Sequence, residues 1–214
     1  MVTLFHDRYP DVRLSPRVYR GGPRALLKSL VHNEIDIALF HSATDPVTDL
    51  EVARVLDEDV VLVAPAGHPL EGLDIVTASD LRRTRMLITR TDCVYSRIVE
   101  AQLGGFDRQD VPPLQFGTLE AVKNAIAAPR GGVSALPRIA VGDLLAGAKV
   151  SELRWTPPAR VGMYATWHET FGASEPLRAL IELLTDPAPD VRSVIGIHDF
   201  DDVIDELAHR RAFA

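Results

Sequence analysis

The sequence has a single cysteine, Cys93, so it can form neither an internal disulfide nor a cysteine-based zinc site. Aromatic residues make up only 6%, and no apolar run approaches the roughly 18 residues of a membrane span. Basic charge is short: 23 Lys and Arg face 30 Asp and Glu, a formal net charge of −7. That balance argues against a free-standing surface for phosphate backbones or anionic lipid. Catalytic signatures are missing as well, with no H-E-x-x-H, G-x-S-x-G or G-x-x-x-x-G-K-[ST]. Ser134 in GGVSALP lacks the glycine that a nucleophile turn needs after its serine, so it reads as a turn or core residue. Asp199, Asp201, Asp202 and Asp205 do not have the spacing of a calcium-binding loop. We therefore expect no catalytic residue, no metal and no cofactor. No stretch reads as a secretory signal, and the cytoplasm is the expected compartment.

What remains is 214 residues, 46% of them hydrophobic, in a pattern of short apolar runs and amphipathic helices. The stretch Glu58–Leu70, EDVVLVAPAGHPL, organises the rest. Its β-branched run ends abruptly at Pro65, Gly67 and Pro69, which predicts a buried strand carrying the chain into a new region. Upstream, Val12 to Tyr19 alternates like an edge strand, Pro23 to Asn33 reads as a helix and Glu34 to Phe40 as a second strand. Together they predict a β-α-β unit with a parallel sheet. Downstream come a short helix at 77–83, a strand at Met86–Thr89, a helix at Ser96–Leu103 stopped by two glycines, and a helix capped by Thr118. A return strand at Arg160–Trp167 and a helix at Pro176–Thr185 follow.

The order of these pieces carries a resemblance. RYPDV (Arg8–Val12), NEIDIAL (Asn33–Leu39), EDVVLVAPAGHPL, SDL (Ser79–Leu81) and TLEAVKNAIAAPRGGVSALPRIAV (Thr118–Val141) resemble the effector-binding domain of LysR-type transcriptional regulators over about residues 4 to 185. The resemblance implies an α/β fold of the periplasmic-binding-protein type II kind, two Rossmann-like lobes joined by two crossing strands, with a small-molecule site in the cleft. Lobe I would take residues 1–63 and 164–214, lobe II residues 64–163. It also implies a regulatory domain and not an enzyme. A solute-binding protein of a transport system shares the fold, and a truncated regulator remnant acting through dimerisation is a further alternative. The family's DNA-binding module is not matched by anything in this sequence, so no direct nucleic-acid binding is expected.

In open α/β sheets ligands sit beyond the carboxyl ends of strands, at helix N-termini. The candidate ligand-binding positions are then Gly21 and Gly22 before the first lobe's helix, and Phe40, His41 and Ser42 after its strand. In the second lobe they are Thr89, Arg90 and Thr91, then Tyr95, Gly117 and Thr118. Arg90 can receive a carboxylate bidentately or pair with Asp92; Tyr95 can wall a pocket or pack in the core; Thr118 suits an N-cap. Arg90 and the threonines favour an organic anion as effector. A homodimer, or a mixed dimer with an intact regulator, is expected, with Arg24–Asn33 or Thr118–Ala127 at the contact. The family's first strand has no counterpart before Met1, whereas Asp190 to Ala214 holds a strand-like SVIGI (Ser193–Ile197) and an amphipathic segment through Phe200, Val203, Ile204 and Leu207. This tail can supply a missing strand and helix to lobe I, in cis or by swapping in trans, or be a helical tail packed on the outside or a frame-altered remnant.

Overall fold

The computed structural model describes residues 2–17, 22–156, 159–169 and 174–185. Contacts divide the chain into two units, Met1–Leu56 with Gly162–Ala214, and Asp57–Val161. The sequence reading puts these boundaries at 63/64 and 163/164. Two long strands, β2 (Glu51–Pro65) and β7 (Ala159–Trp167), run through both units and are neighbours in the sheet.

The second unit is built on the apolar end of β2. Val60, Val61, Leu62, Val63 and Ala64 are all nearly inaccessible to solvent. Side chains alternate across a strand, so the run feeds two cores at once. Val60, Leu62 and Ala64 enter one cluster with Leu81 of α3 (Ala78–Arg82) and Val99 and Leu103 of α4 (Val94–Leu103). Val61 and Val63 enter the other, with Val122 and Ile126 of α5 (Leu119–Ile126) and Val141 and Leu144 of α6 (Arg138–Ala146). Each such side chain contributes about 1.5–3 kcal/mol when fully buried. Antiparallel partners flank the run: β5 (Ser134–Pro137) pairs with Val60–Val63, and β6 (Val150–Leu153) with Leu62–Pro65. A separate parallel pair, β3 (Leu87–Ile88) and β4 (Leu114–Gln115), completes the unit's strands among the described residues.

Local signals set the helix ends. Thr77 and Asp80 form a reciprocal capping box on α3, and Thr118 accepts from the Ala121 amide at 3.1 Å to cap α5. Gly104 closes α4 in the left-handed region at φ +73°. Lys123 is buried on α5, its ammonium 3.3 Å from Glu120 and 3.5 Å from Asp143, which ties α5 to α6. Ser134 donates its hydroxyl to the Leu87 carbonyl at 2.7 Å and is a core residue, as the missing glycine implied.

The first unit holds α1 (Val2–Arg8), α2 (Gly22–Val31), β1 (Ile37–Ser42) and α7 (Glu175–Thr185), with the remaining parts of β2 and β7. Phe5 of α1, Met163 and Ala165 of β7, and Leu180 and Leu184 of α7 form its main core, with Val12, Leu14, Ile37 and Leu39 packed against it. Two expectations are corrected here. Residues 12–17 are not a strand, although Val12, Leu14 and Pro16 alternate in burial with exposed neighbours; residues 18–21 lie outside the described residues. The second strand spans Ile37–Ser42, not Glu34–Phe40, and pairs antiparallel with β7, from Ile37↔Trp167 to Ser42↔Gly162. Among the described residues the parallel β-α-β pair is absent, because residues 12–17 have no ladder. The tail at 190–214 lies outside the described residues.

Gly132 leads into β5 where the backbone comes close to residues 85–87. The neighbouring backbone pairs with 85–87, Val133 N to Arg85 O at 2.9 Å and Leu87 N to Val133 O at 2.8 Å, so a Cβ at Gly132 would collide with the Arg85 carbonyl oxygen. Gly132→Ala is expected to cost about 1–3 kcal/mol, the range of overpacking against atoms that cannot retreat. Equilibrium urea unfolding reads this directly; an unchanged midpoint would contradict the close approach.

Candidate functional site

In the second unit β3 ends at Ile88 and the chain turns through Thr89–Cys93 into α4. Thr89 and Arg90 are half-buried and Thr91 is exposed. Arg90 is held within this loop: Nε donates to Asp92 Oδ1 at 2.7 Å and Nη2 to Oδ2 at 2.6 Å. This fork-to-carboxylate pairing raises the guanidinium pKa and lowers that of Asp92. Arg90 therefore reaches the loop with its charge balanced, the second of the two readings its sequence context allows.

Cys93 is the N-cap of α4 and makes no side-chain cap, unlike Thr77 on α3 and Thr118 on α5. An N-terminus without a side-chain acceptor presents amide donors and the positive end of the helix dipole. The sequence offered this signal in the cysteine between Asp92 and Val94, at a position where Ser, Thr, Asp or Asn is usual. Gly117 and Thr118, both exposed, lie at the start of α5, whose first turn Thr118 already caps.

Tyr95 is not a free pocket wall. It packs against the first core cluster, and its hydroxyl donates to Glu58 Oε2 at 2.7 Å. Glu58 is 7% exposed, and burial raises its carboxyl pKa against the opposing effect of the Tyr95 hydrogen bond. The phenol pKa is raised too, by burial first and then by the Glu58 charge. The sequence reading missed Glu58, although it lies in phase with Val60, Leu62 and Ala64 on the face turned to α4.

In the first unit, Gly22 begins α2, while Gly21 lies outside the described residues. Phe40, His41 and Ser42 belong to β1 itself and do not follow it, so they alternate between its faces. Phe40 is buried and stacks on Tyr164 at 6.0 Å, on one face. The Tyr164 hydroxyl donates to Asp45 at 2.6 Å, and Arg54 lies over the ring at 5.6 Å. Ser42 donates to the Thr44 carbonyl at 2.6 Å. His41 is turned the other way, opposite Met163 of the core, and burial lowers its imidazole pKa to about 4. The structure thus gives the candidates to two units in separate sets, and gives Phe40 and Tyr95 packing contacts.

A shallow groove of about 460 Å³ also lies in the second unit, along β4, lined by Arg85, Leu87, Leu114, Phe116 and Arg130 among others. None of the candidate ligand residues lines it. Among the described residues, no three His, Cys, Asp or Glu side chains are grouped to hold a metal ion, and no helix is long and apolar enough to cross a membrane.

Comparison with known proteins agrees with this architecture. Residues 1–188 match the family described as LysR substrate binding domain. The HTH-type transcriptional regulator YwqM of Bacillus subtilis is 28% identical over 184 residues, covering 86% of this chain and 61% of that protein. The regulator GltR of the same organism is 31% identical over 138 residues, 64% of this chain and 44% of that one. The chain thus spans roughly half of these relatives' lengths. Among solved structures, the regulatory domain of MetR, a LysR family regulator from N. meningitidis, superposes with a TM-score of 0.70 at 18% identity, covering 86% of this chain and 84% of that one. The CcmR regulatory domain of Synechocystis PCC6803, solved in complex with 2-PG, gives 0.69 at 20% identity, covering 87% and 89%.

Two outcomes test these assignments. A free histidine protonates below its ordinary value of 6.5, whereas folded His41 does so only near 4. The stability that neutral His41 carries is therefore complete above pH 6.5 and lost as pH falls towards 4. Urea midpoints at pH 7 and 4.5 should converge more for His41→Leu than for the parent; equal pH dependence would place His41 outside the core. Tyr95→Phe removes the Tyr95 hydrogen bond to the buried Glu58 carboxyl, and denaturation at pH 7 should show a loss of about 1–3 kcal/mol.

Proposed function

Because the chain belongs to the LysR substrate-binding-domain family, we propose that it is the effector-sensing part of a LysR-type transcriptional regulator, and that its effector is a small organic anion. The observation that carries the anion is the start of α4. Its N-cap offers no side-chain acceptor, Thr89 and Thr91 stand in the loop before it, and Arg90 is neutralised by Asp92. An anion there would accept from the first-turn amides and the threonine hydroxyls, with the helix dipole favouring its charge. Gly117 and Thr118 on the second unit, and Gly21, Gly22 and Ser42 on the first, are the further positions we assign to effector recognition. Phe40, His41 and Tyr95 support these loops from the core side.

The output is a shift between arrangements of the protein, which a ligand drives only through unequal affinity for them. Association with a second copy, or with an intact regulator, would go through α2 and α5. Val31 on the last turn of α2 is 61% exposed, and Leu114 beside α5 is 46% exposed. A solute-binding role on the same fold predicts ligand binding with no partner.

Thermal unfolding against a panel of small carboxylates, phosphates and amino acids tests the sensor reading. A true effector at a hundredfold excess over Kd should add about 2.7 kcal/mol. Thr91→Asp, which places a negative charge in the exposed loop, should weaken that response at least tenfold and leave the unliganded melting temperature unchanged. Cooperative unfolding with no response to any anion would overturn the reading.

A further inference from the structure

The groove along β4 lies wholly within the second unit and shares no residue with the loop before α4. Leu87 lines it from β3, and Leu114 and Phe116 from β4 and the residue just past its end. Backbone bonds fix these apolar walls: the Leu114 amide donates to the Met86 carbonyl and the Phe116 amide to the Ile88 carbonyl, each at 2.8 Å. Gly132 leaves the adjoining side without a side chain, where a Cβ would stand 3.0 Å from Leu87. The volume of about 460 Å³ falls within the roughly 300–1,000 Å³ of small-molecule sites, which are likewise mostly apolar with a few polar groups.

Charge identifies the occupant. Arg85 and Arg130 both line the groove and both are exposed, and neither Asp nor Glu lines it. Elsewhere in the unit Arg82, Arg90, Arg138, Arg154 and Arg160 each donate to an oxygen of the protein. Among the described residues the guanidinium groups of Arg85 and Arg130 have no such partner. The nearby end of α5 does not engage Arg130 either, because the Lys123, Ala125 and Ala128 carbonyls accept from the amides of Ala127 and Gly131. Two like charges beside apolar walls focus a positive potential, in a chain whose net charge is −7. We propose that this groove is a further small-molecule site, and that it takes an aromatic carboxylate. The ring covers Leu114, which is otherwise 46% exposed, and Phe116, and the carboxylate pairs with Arg85 and Arg130. A guanidinium suits both halves of such a ligand, since it binds carboxylates through parallel hydrogen bonds and stacks on aromatic faces. A neutral ring would leave both charges unanswered, and a small inorganic anion would leave Leu114 in water. The proposal stands whether or not the loop before α4 binds an effector. Leu114 also lies on the face assigned to association, so a bound carboxylate and a second copy compete for it.

Methyl NMR of the full-length protein, titrated with 2-naphthoate, is the test. The Leu87 and Leu114 methyls should shift saturably, and 2-naphthamide, which keeps the rings and loses the charge, should bind about tenfold more weakly or worse. The double variant Arg85→Gln, Arg130→Gln should lose about tenfold or more of the naphthoate affinity and none of the naphthamide affinity. Thr91→Asp, in the loop before α4, should leave the titration as it is. Absence of any saturable shift, equal binding of acid and amide, or a double variant that binds like the parent each overturns the proposal. Shifts confined to residues 89–95 assign the naphthoate to the other loop and overturn it as well. If concentrating the ligand-free protein moves the same two methyls and 2-naphthoate fails to reverse the change, the occupant is a second copy and the small-molecule site is lost.

Discussion

Burying one strand on both faces is the constraint on which the second unit depends. In a strand buried on one face, a one-residue slip turns the apolar row to water, which already fixes register. Val60–Ala64 is fixed further, because its two faces are committed to different helices and antiparallel ladders run along it from Val60 to Pro65, from both sides at Leu62 and Val63. Every residue of the run is fixed by what lies above, below and beside it. The loops that leave the ends of these elements inherit that fixity, among them the turn from β3 into α4.

This constraint was also the most legible part of the sequence. An uninterrupted apolar run bounded by prolines and a glycine has few readings, and the amphipathic spacing of α4, α5 and α7 has fewer still. Thr118 could be placed as a cap because the chemistry of a cap is local. The failures came where local pattern needs a partner. Val12 to Arg17 has strand periodicity and the alternation survives in its burial, but periodicity does not supply a neighbour, and no ladder forms among the described residues. The shift of β1 to Ile37–Ser42 has the same origin, since antiparallel pairing with β7 decides where the strand begins and ends.

The candidate site was legible as a set of loops but not as a set of roles. Position beyond a strand selects His41 and Ser42 alike, yet the true strand includes both and sends them to opposite faces, so that His41 is partly buried opposite Met163. Tyr95 and Glu58 stand 37 positions apart, and only the packing of α4 on β2 makes them one hydrogen-bonded pair. By contrast, the Arg90–Asp92 pair joins residues two apart and could be foreseen as an alternative, because short separation makes such a contact nearly a property of the loop.

That ion pair also bears on what kind of recognition the loop can offer. A lone guanidinium attracts anions from a distance, does so with little regard to their shape, and loses its grip as ions accumulate around it. Here the positive charge arrives already answered by Asp92, so the loop retains little long-range field of its own. Capture by oriented amides and hydroxyls instead acts over a few ångströms, where mobile ions do not intervene. On the proposed reading, such a sensor would be little affected by the general ionic background and would discriminate among anions by fit.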